Sequence, residues 1–301
     1  MKCNTPVLFI IFNRLDTSEK VLAEIKRAEV TKLYIFCDGG RNENETLKLN
    51  EVQQRLLSLI DWPCQVVTNF YEVNKGPRVA VGEAITWFFE NEEEGIILEH
   101  DCLPHPSFFG YCSELLEKYR NDDRIMHIGG DSFQYGKKYG DDSYYFSRYN
   151  HIWGFATWRR AWKYYDNSFS SYTEFVEKDY FKHIFKDKRE IDYWKLHFRL
   201  LHEGTIVTWD FQWTMNMWMQ NGLAIVPQVN LVSNIGFGEL SLNTKNTKNR
   251  MADVPSFDIG KLKHPSIVMP NTEADTYAVY DTFYPTLWTI GIRKLKRWFN
   301  L

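Results

Sequence analysis

The first hundred residues alternate short apolar segments with longer polar, helix-prone segments. Residues 7–12 are continuously apolar, which is typical of a strand buried on both faces. Further strand-like segments follow at residues 32–37, 64–69 and 96–98, and helix-like segments separate them. Because strands that alternate with helices pair in parallel, the pattern predicts an α/β fold with a doubly wound, mostly parallel central sheet.

The rhythm changes after Asp101. Aromatic residues make up 16% of the chain, and about half of them lie between Tyr139 and Trp218. Two interpretations stay open for these rings: a thick aromatic core, or a platform on which sugar rings stack. Since no linker rich in Pro, Gly or Ser separates the halves, we expect residues 1–240 to form one domain, with halves at 1–101 and 102–240.

Composition excludes several classes of protein. A net charge of −3, from 36 basic and 39 acidic residues, is too balanced for a general nucleic-acid binder. No apolar run is long enough to span a membrane, and the first residues do not follow the pattern of a signal peptide, so we expect a cytoplasmic location. The five cysteines are scattered, without a C-x-x-C pair, which argues against a zinc ribbon or a disulfide scaffold.

Polar residues follow three of the predicted strands. These are Asn13 and Arg14, then Asp38 before two glycines, then the triplet 99–101. Open parallel sheets bind ligands beyond the carboxyl ends of their strands, so these residues are candidates for a binding site. The chain lacks both G-x-G-x-x-G after the first strand and G-x-x-x-x-G-K-[ST], which argues against a dinucleotide oxidoreductase and a P-loop hydrolase.

The triplet Glu99-His100-Asp101 is the most specific of these features. It brings two carboxylates and an imidazole to the end of a buried strand, where uncompensated charge is costly. A divalent cation bridging a diphosphate would compensate the charge, and an acidic turn that meets solvent is the alternative. Asp38 likewise is either a turn former or a hydrogen-bond acceptor for a base or ribose.

A set of segments in this order resembles a known family. The set comprises residues 7–14, 34–39, 76–78, 97–101, 151–162, 208–210 and 230–238. It resembles the nucleotide-sugar half of GT-A glycosyltransferases, and in particular the bacterial haemolytic-protein-like group of nucleotide-diphospho-sugar transferases. That group is distantly similar to N-acetylglucosaminyltransferase I. The resemblance covers about the first 240 residues.

The resemblance implies an activity. The expected enzyme is an inverting, metal-dependent hexosyl- or N-acetylhexosaminyltransferase. It would move a sugar from a nucleotide-diphospho-sugar, a UDP-sugar first of all, to a hydroxyl of a glycan or lipid-linked glycan in bacterial surface polysaccharide or lipopolysaccharide synthesis. Residues 1–101 would then bind the donor, and residues 102–240 would form the acceptor side.

The resemblance also implies roles for single residues. Asp101 would ligate Mn²⁺ or Mg²⁺, and Asp210 would act as general base on the acceptor hydroxyl. The apolar neighbours of Asp210 would raise its pKa, although Asp at a helix start is equally typical of an N-cap. Nucleotide-sugar binding is implied for nine further residues: Phe12, Asn13, Arg14, Asp38, Arg78, Glu99, His100, Trp153 and Gly154.

The chain departs from the family pattern at two places. Asn243 stands where relatives often carry a histidine, which predicts either a weaker metal site or closure of the loop 240–253 on the donor through Lys245, Lys248 or Arg250. His100 stands where many relatives carry an acid, and its role stays open. We expect residues 241–301 to be a mobile loop and a C-terminal extension.

Two other functions remain as alternatives. A sugar nucleotidyltransferase shares the architecture and the use of carboxylates with a metal. It would be expected to carry a Gly-rich, basic first loop, which residues 12–15 do not provide. A non-catalytic carbohydrate-binding protein would use the rings, but would not need Glu99, Asp101 and Asp210 all at strand ends.

The C-terminal residues 287–301 predict a basic amphipathic helix. Apolar and basic residues alternate at helical spacing, namely Trp288, Ile292, Leu295 and Phe299 with Arg293, Lys294, Lys296 and Arg297 between them. Such a helix either packs on the body of the protein or holds it on an anionic membrane surface, here the inner face of the cytoplasmic membrane.

Overall fold

The computed structural model of the 301-residue protein describes residues 2–238 and 251–280. Its centre is an eight-stranded sheet in the order β3-β2-β1-β4-β8-β6-β9-β7, and a separate two-stranded sheet pairs β10 with β5. The strands are β1 (Val7–Ile11), β2 (Lys32–Cys37), β3 (Gln65–Phe70), β4 (Glu94–Glu99), β5 (Cys102–Pro104), β6 (Ile125–Gly129), β7 (Tyr144–Ser147), β8 (Phe155–Trp158), β9 (Leu223–Pro227) and β10 (Val232–Asn234).

Helices cover both faces of the large sheet. They are α1 (Leu15–Arg27), α2 (Glu43–Ser58), α3 (Pro77–Asn91), α4 (Ser107–Lys118), α5 (Arg159–Trp162), α6 (Tyr172–Glu177), α7 (Phe181–Ile184), α8 (Lys188–His202), α9 (Asp210–Met219) and α10 (Thr272–Ala278).

The first four strands form the parallel part of the sheet. β1 pairs in parallel with β2 and β4, and β2 pairs in parallel with β3. Alternate residues of β1 enter different cores, since Val7 and Phe9 pack with α1 and α2 while Leu8 and Ile10 pack with α3. A strand buried on both faces explains the continuous apolar run in the sequence. The predicted α/β fold with a mostly parallel, doubly wound sheet is confirmed.

The second half of the chain completes the same sheet. β8 lies antiparallel between β4 and β6, β9 pairs in parallel with β6, and β7 forms an antiparallel edge. Residues 205–209, which are strand-like in sequence, form no strand. Ile206, Val207, Thr208 and Trp209 line the main cavity instead. The division of the domain into halves at residue 101 stays a prediction.

A third core, which we call the ring cluster, lies outside the sheet around α8 and the end of α9. Its buried aromatic members are Tyr149, Phe169, Phe175, Phe181, Phe185, Trp194, Phe198 and Trp218. Much of the aromatic excess of the sequence is therefore core, which is one of the two interpretations left open.

Several predictions lie outside the described residues. The basic loop residues Lys245, Lys248 and Arg250, with Asn243, belong to residues 239–250, and the amphipathic helix belongs to residues 281–301. Within the described ranges, no helix has the length and apolar character needed to cross a bilayer.

Candidate functional site

A cavity of about 520 Å³ opens beyond the carboxyl ends of β1, β2 and β4. This volume lies within the range of cavities that bind small molecules and cofactors. Nine residues predicted from the sequence or its resemblance line the cavity: Phe12, Asn13, Arg14, Asp38, Glu99, His100, Asp101, Trp153 and Asp210. The topology brings them together because parallel strands end at one edge of the sheet.

Asp38 lies at the end of β2 and is 7% exposed. Its carboxylate accepts hydrogen bonds from the backbone N–H groups of Gly39, Lys75 and Gly76, each at 2.9 Å, and from Asn74 Nδ2 at 2.9 Å. These bonds use its oxygens to hold the loop before α3 against the end of β2. Asp38 thereby organises the site, and its contact with a nucleotide stays a prediction.

Glu45 of α2 holds two polar side chains at the rim of the cavity. Asn13 Nδ2 donates to Glu45 Oε1 at 2.8 Å, and Arg41 Nε donates to Glu45 Oε2 at 2.7 Å. The Arg41 guanidinium, together with the bond from Asn13, lowers the pKa of Glu45 to about 2. The guanidinium also lies 5.7 Å from the ring centre of Phe12. Glu45 is not among the residues predicted from sequence, although its i, i+4 spacing from Arg41 is a usable signal.

Arg14 links the end of β1 to the turn after β10. Its Nη1 donates to the carbonyl oxygen of Gly236 at 2.8 Å. Gly236 in turn lies directly against the carboxylate of Asp101, since a Cβ added to this glycine would lie 2.0 Å from Asp101 Oδ2. The backbone N–H of Ile235 donates to the Asp101 carbonyl at 2.9 Å. The absence of a side chain at position 236 therefore leaves room for the Asp101 carboxylate.

Glu99, Asp101 and Asp210 form a group of carboxylates in the cavity. Burial, reinforced by the charges of Asp101 and Asp210, raises the pKa of Glu99 to about 8. Burial also raises the pKa of Asp210, whose Oδ1 accepts a hydrogen bond from Thr208 Oγ1. Asp210 is the first residue of α9 and follows the N-cap Trp209, so it is not itself the cap.

Of three further predictions, His100 lines the cavity, whereas Arg78 and Gly154 do not. His100 lines the cavity, and burial lowers the pKa of its imidazole. Arg78 does not line the cavity. Its Nη2 donates a hydrogen bond to the carbonyl oxygen of Asn167 at 2.8 Å. Gly154 also lies outside the lining and has a φ of +66°, and a Cβ there would lie 2.9 Å from the Val232 side chain. The absence of a side chain lets the chain pack closely here, and contact of Gly154 with a nucleotide sugar stays a prediction.

A second cavity of about 150 Å³ adjoins the first. The two share four lining residues, namely Ile152, Trp153, Asp210 and Phe211. Asp210 thus lies at the junction between the strand-end cavity and a smaller cavity in the aromatic half. The sequence predicts a helix start at Asp210 but gives no sign of the second cavity.

The carboxylate group suits a divalent cation only in part. Within residues 2–238 and 251–280, no cluster of three or more His, Cys, Asp or Glu side chains could hold a metal ion. No Lys or Arg of those residues forms an ion pair with Glu99, Asp101 or Asp210. Mg²⁺ typically takes one or two protein carboxylates and completes its shell with water and substrate phosphates, so Asp101 with one neighbouring carboxylate suits this ion better than a cation that needs three or more protein ligands.

No protein family and no curated protein matches the sequence, and the solved structures that match are only distantly similar to it. A cytidylyltransferase from Leptospira borgpetersenii serovar Hardjo-bovis is 10% identical over 54% of this chain and 63% of its own, with a TM-score of 0.32. A UDP-glucose pyrophosphorylase complexed with UDP-glucose is 14% identical over 48% of this chain and 62% of its own, with a TM-score of 0.28. An apo UDP-glucose pyrophosphorylase is 9% identical over 76% of this chain and 93% of its own, with a TM-score of 0.40. The chain spans less than two thirds of the length of the first two.

These structures correct the prediction of an inverting glycosyltransferase. One is named a cytidylyltransferase and two are named UDP-glucose pyrophosphorylases, names that fit the nucleotidyltransferase alternative that the sequence left open, and none is named a glycosyltransferase. The physical reason is that an acidic strand end in a parallel sheet suits any enzyme that binds a nucleotide with a cation. The segments that resemble GT-A proteins therefore indicate the architecture without determining which bond is broken.

Proposed function

We propose that the protein is a sugar nucleotidyltransferase, which joins a nucleoside triphosphate and a sugar phosphate into a nucleotide sugar and releases pyrophosphate. The observation that carries the proposal is the composition of the main cavity. Two guanidinium groups, of Arg14 and Arg41, and three carboxylates, of Glu99, Asp101 and Asp210, line one cavity at the carboxyl ends of parallel strands.

The arginines would replace the Gly-rich basic loop that this chain lacks. Arg14 and Arg41 follow β1 and β2, and each is held by a hydrogen bond, to Gly236 and Glu45 respectively. A guanidinium presents several N–H donors in a plane that matches phosphate oxygens. A triphosphate in the cavity would therefore find positive charge without a glycine-rich turn.

The reaction needs positioning and charge stabilisation. An oxygen of the sugar phosphate attacks the α-phosphorus of the nucleoside triphosphate, a new P–O bond forms, and the bond to the bridging oxygen of the departing pyrophosphate breaks. Arg14 and Arg41 would stabilise the negative charge that develops on the leaving group. A divalent cation held by Asp101 with Glu99 would supply Lewis-acid stabilisation of the phosphate oxygens.

Asp210 would then act on the sugar rather than as a general base. A phosphate monoester carries about 1.5 to 2 negative charges near neutral pH, so its attacking oxygen needs no deprotonation. The Asp210 carboxylate lies at the junction of the two cavities and has an oxygen that can accept a hydrogen bond from a sugar hydroxyl. In this proposal Asp210 orients the second substrate.

Pyrophosphate release tests the proposal. The full chain is incubated with each of the four ribonucleoside triphosphates, a panel of hexose 1-phosphates and Mg²⁺, and pyrophosphate is quantified. We expect at least one pair to react, and Asp101→Asn to lower the rate by about 100-fold or more, because it removes a charge that the cation requires.

The matched control is Asp123→Asn, since the Asp123 side chain is 94% exposed, lines neither cavity and should leave the rate unchanged. A chain that releases no pyrophosphate with any pair, but transfers or hydrolyses the sugar of a nucleotide sugar, would refute nucleotidyl transfer.

A further inference from the structure

The second cavity is too small to be a separate ligand site. Its volume of about 150 Å³ lies below the roughly 300–1,000 Å³ of typical small-molecule cavities. It adjoins the main cavity along Trp153, Asp210 and Phe211. It is therefore best understood as an extension of the main site that takes one part of a ligand.

Its lining combines aromatic rings with neutral polar groups. Phe133, Trp153, Trp194 and Phe211 contribute rings, and Asn150 contributes an amide. Aromatic faces pack against the C–H faces of a sugar ring, while amides bond its hydroxyls. This combination suits a ring that is apolar on its faces and polar at its edge.

Two of the lining residues carry N–H groups that lack an acceptor. Trp194 is 8% exposed, and neither its Nε1 nor Asn150 Nδ2 has a hydrogen-bond partner within the described residues. Asn150 is oriented by Thr214, whose Oγ1 donates to Asn150 Oδ1 at 2.7 Å. A buried donor without an acceptor is unfavourable, and an oxygen-bearing ligand would provide the missing acceptor.

The charges of the second cavity argue against a phosphate there. Among the described residues that line it, none is Lys or Arg, whereas the main cavity has Arg14 and Arg41. Asp131 and His151 also line it, with His151 Nδ1 3.5 Å from Asp131 Oδ2. The backbone N–H of Trp153 donates to Asp131 Oδ1 at 3.1 Å. Phosphate oxygens would lack cationic partners here and would remain in the main cavity.

We infer that the second cavity binds the sugar ring of the sugar phosphate, with Trp194 and Asn150 donating hydrogen bonds to its hydroxyls and the phosphate directed past Asp210 into the main cavity. This inference rests on the proposed function, whose substrate class it specifies. A sugar ring in the second cavity would pack on the aromatic lining, accept hydrogen bonds from the unpartnered donors and need no Lys or Arg partner.

Calorimetric titration of the full chain tests the inference. Hexose 1-phosphates, the corresponding methyl hexosides and a nucleoside triphosphate with Mg²⁺ are titrated separately. Trp194→Phe keeps an aromatic ring but removes the N–H. We expect it to weaken binding of a hexose 1-phosphate about five-fold, as for loss of one neutral hydrogen bond, and to change nucleotide affinity less than twofold.

Trp87→Phe is the matched control, because Trp87 lies on α3 and lines neither cavity. Unfolding midpoints of both variants check that the fold is retained. Asn150→Asp, which keeps the acceptor to Thr214 and removes the N–H donors, gives a second, independent variant and should weaken the same ligand.

The outcomes separate this inference from the proposed function. Weaker hexose 1-phosphate binding in Trp194→Phe and Asn150→Asp supports it, even if no pyrophosphate is ever released. Unchanged binding in both variants, equal losses in Trp87→Phe, or no binding of any hexose 1-phosphate would overturn it. Tighter binding of methyl hexosides than of hexose 1-phosphates would also overturn it, and would assign the cavity to the end of a glycan.

Discussion

The two walls of the site are built in different ways. On the strand-end wall, carboxylates hold backbone and side-chain donors, as Asp38 holds the loop before α3 and Glu45 holds Arg41. On the opposite side, Trp194 and Phe211 reach the second cavity from the ring cluster, where Phe198 is fully buried among other rings. One wall is fixed by hydrogen bonds and the other by packing.

The difference teaches which kind of change each wall tolerates. A single hydrogen bond contributes modestly to the free energy of unfolding but positions the groups that it joins accurately. Buried rings contribute several kcal/mol each through excluded water and dispersion contacts. Substitutions on the strand-end wall should therefore affect ligand binding first, and substitutions in the ring cluster should affect stability first.

The largest expected effect is that of Phe198→Ala in the ring cluster. Phe198 contacts the rings of Phe169, Phe181 and Trp218, and its removal leaves a cavity that these rings cannot fill. We expect the free energy of unfolding to fall by about 3–5 kcal/mol, measured by urea denaturation. Leu196→Ala on the same helix is the control, since Leu196 is 42% exposed and should change stability by about 0.5 kcal/mol or less. Equal effects of the two variants would refute packing as the basis of this wall.

Gly236→Ala should have an intermediate effect, and on ligand binding rather than on the fold. The new Cβ would collide with Asp101 Oδ2 and displace that carboxylate from the cavity. We expect Mg²⁺-dependent nucleotide affinity to fall about tenfold, or about 1.4 kcal/mol, as measured by calorimetry. Gly110→Ala is the control, because a Cβ at this position of α4 meets no atom within 4 Å. Unchanged affinity in Gly236→Ala would show that the position of Asp101 is unimportant for binding.

Glu45→Gln should have the smallest effect, and one that depends on pH. The pKa of Glu45 is lowered to about 2 chiefly by Arg41, so the ionised carboxylate stabilises the fold above its unfolded pKa of roughly 4.3. That contribution is lost as the pH falls toward about 2. Because Arg41 is 51% exposed, we expect a cost of only about 1 kcal/mol at pH 7.

The pH dependence is measured by urea denaturation of both proteins at several values between pH 7 and pH 2.5. The difference between wild type and Glu45→Gln should shrink below about pH 4. Glu43→Gln, at an exposed position of the same helix, should show no such change. A difference that is constant over this range would mean that the charge of Glu45 contributes nothing.

The strand-end wall could be predicted from sequence to a large extent. The apolar run of β1, the strand β2 and the triplet 99–101 are local patterns, and the rule that ligands bind at the carboxyl ends of parallel strands places Asn13, Asp38 and Asp101 together. Glu45 was missed because it lies inside a polar helix, where an acid is ordinarily solvated. Arg78 was placed near the ligand because its segment resembles a donor-binding one, yet its guanidinium bonds to Asn167.

The ring cluster and the second cavity could not be predicted in the same way. Aromatic content indicated either a core or a sugar platform. The structure has rings in both surroundings, since Phe198 lies in the core and Trp153 lies at a cavity. The local sequence around a ring does not show whether that ring lies in a core or at a cavity. Their surroundings depend on contacts between residues that are distant along the chain.

The sequence by itself determined the α/β architecture, the edge of the sheet at which a site would lie and most of its charged residues. The reason is that the periodicity of apolar residues and the succession of strands and helices along the chain are local properties. The tertiary structure decided what those residues contact. It bonded Asp38 to the loop before α3, paired Asn13 with Glu45 and placed Gly236 against Asp101. It also left Trp194 and Asn150 with unpartnered donors beside a second cavity. Such contacts join residues tens to hundreds of positions apart, and only the packed fold brings them within hydrogen-bonding distance.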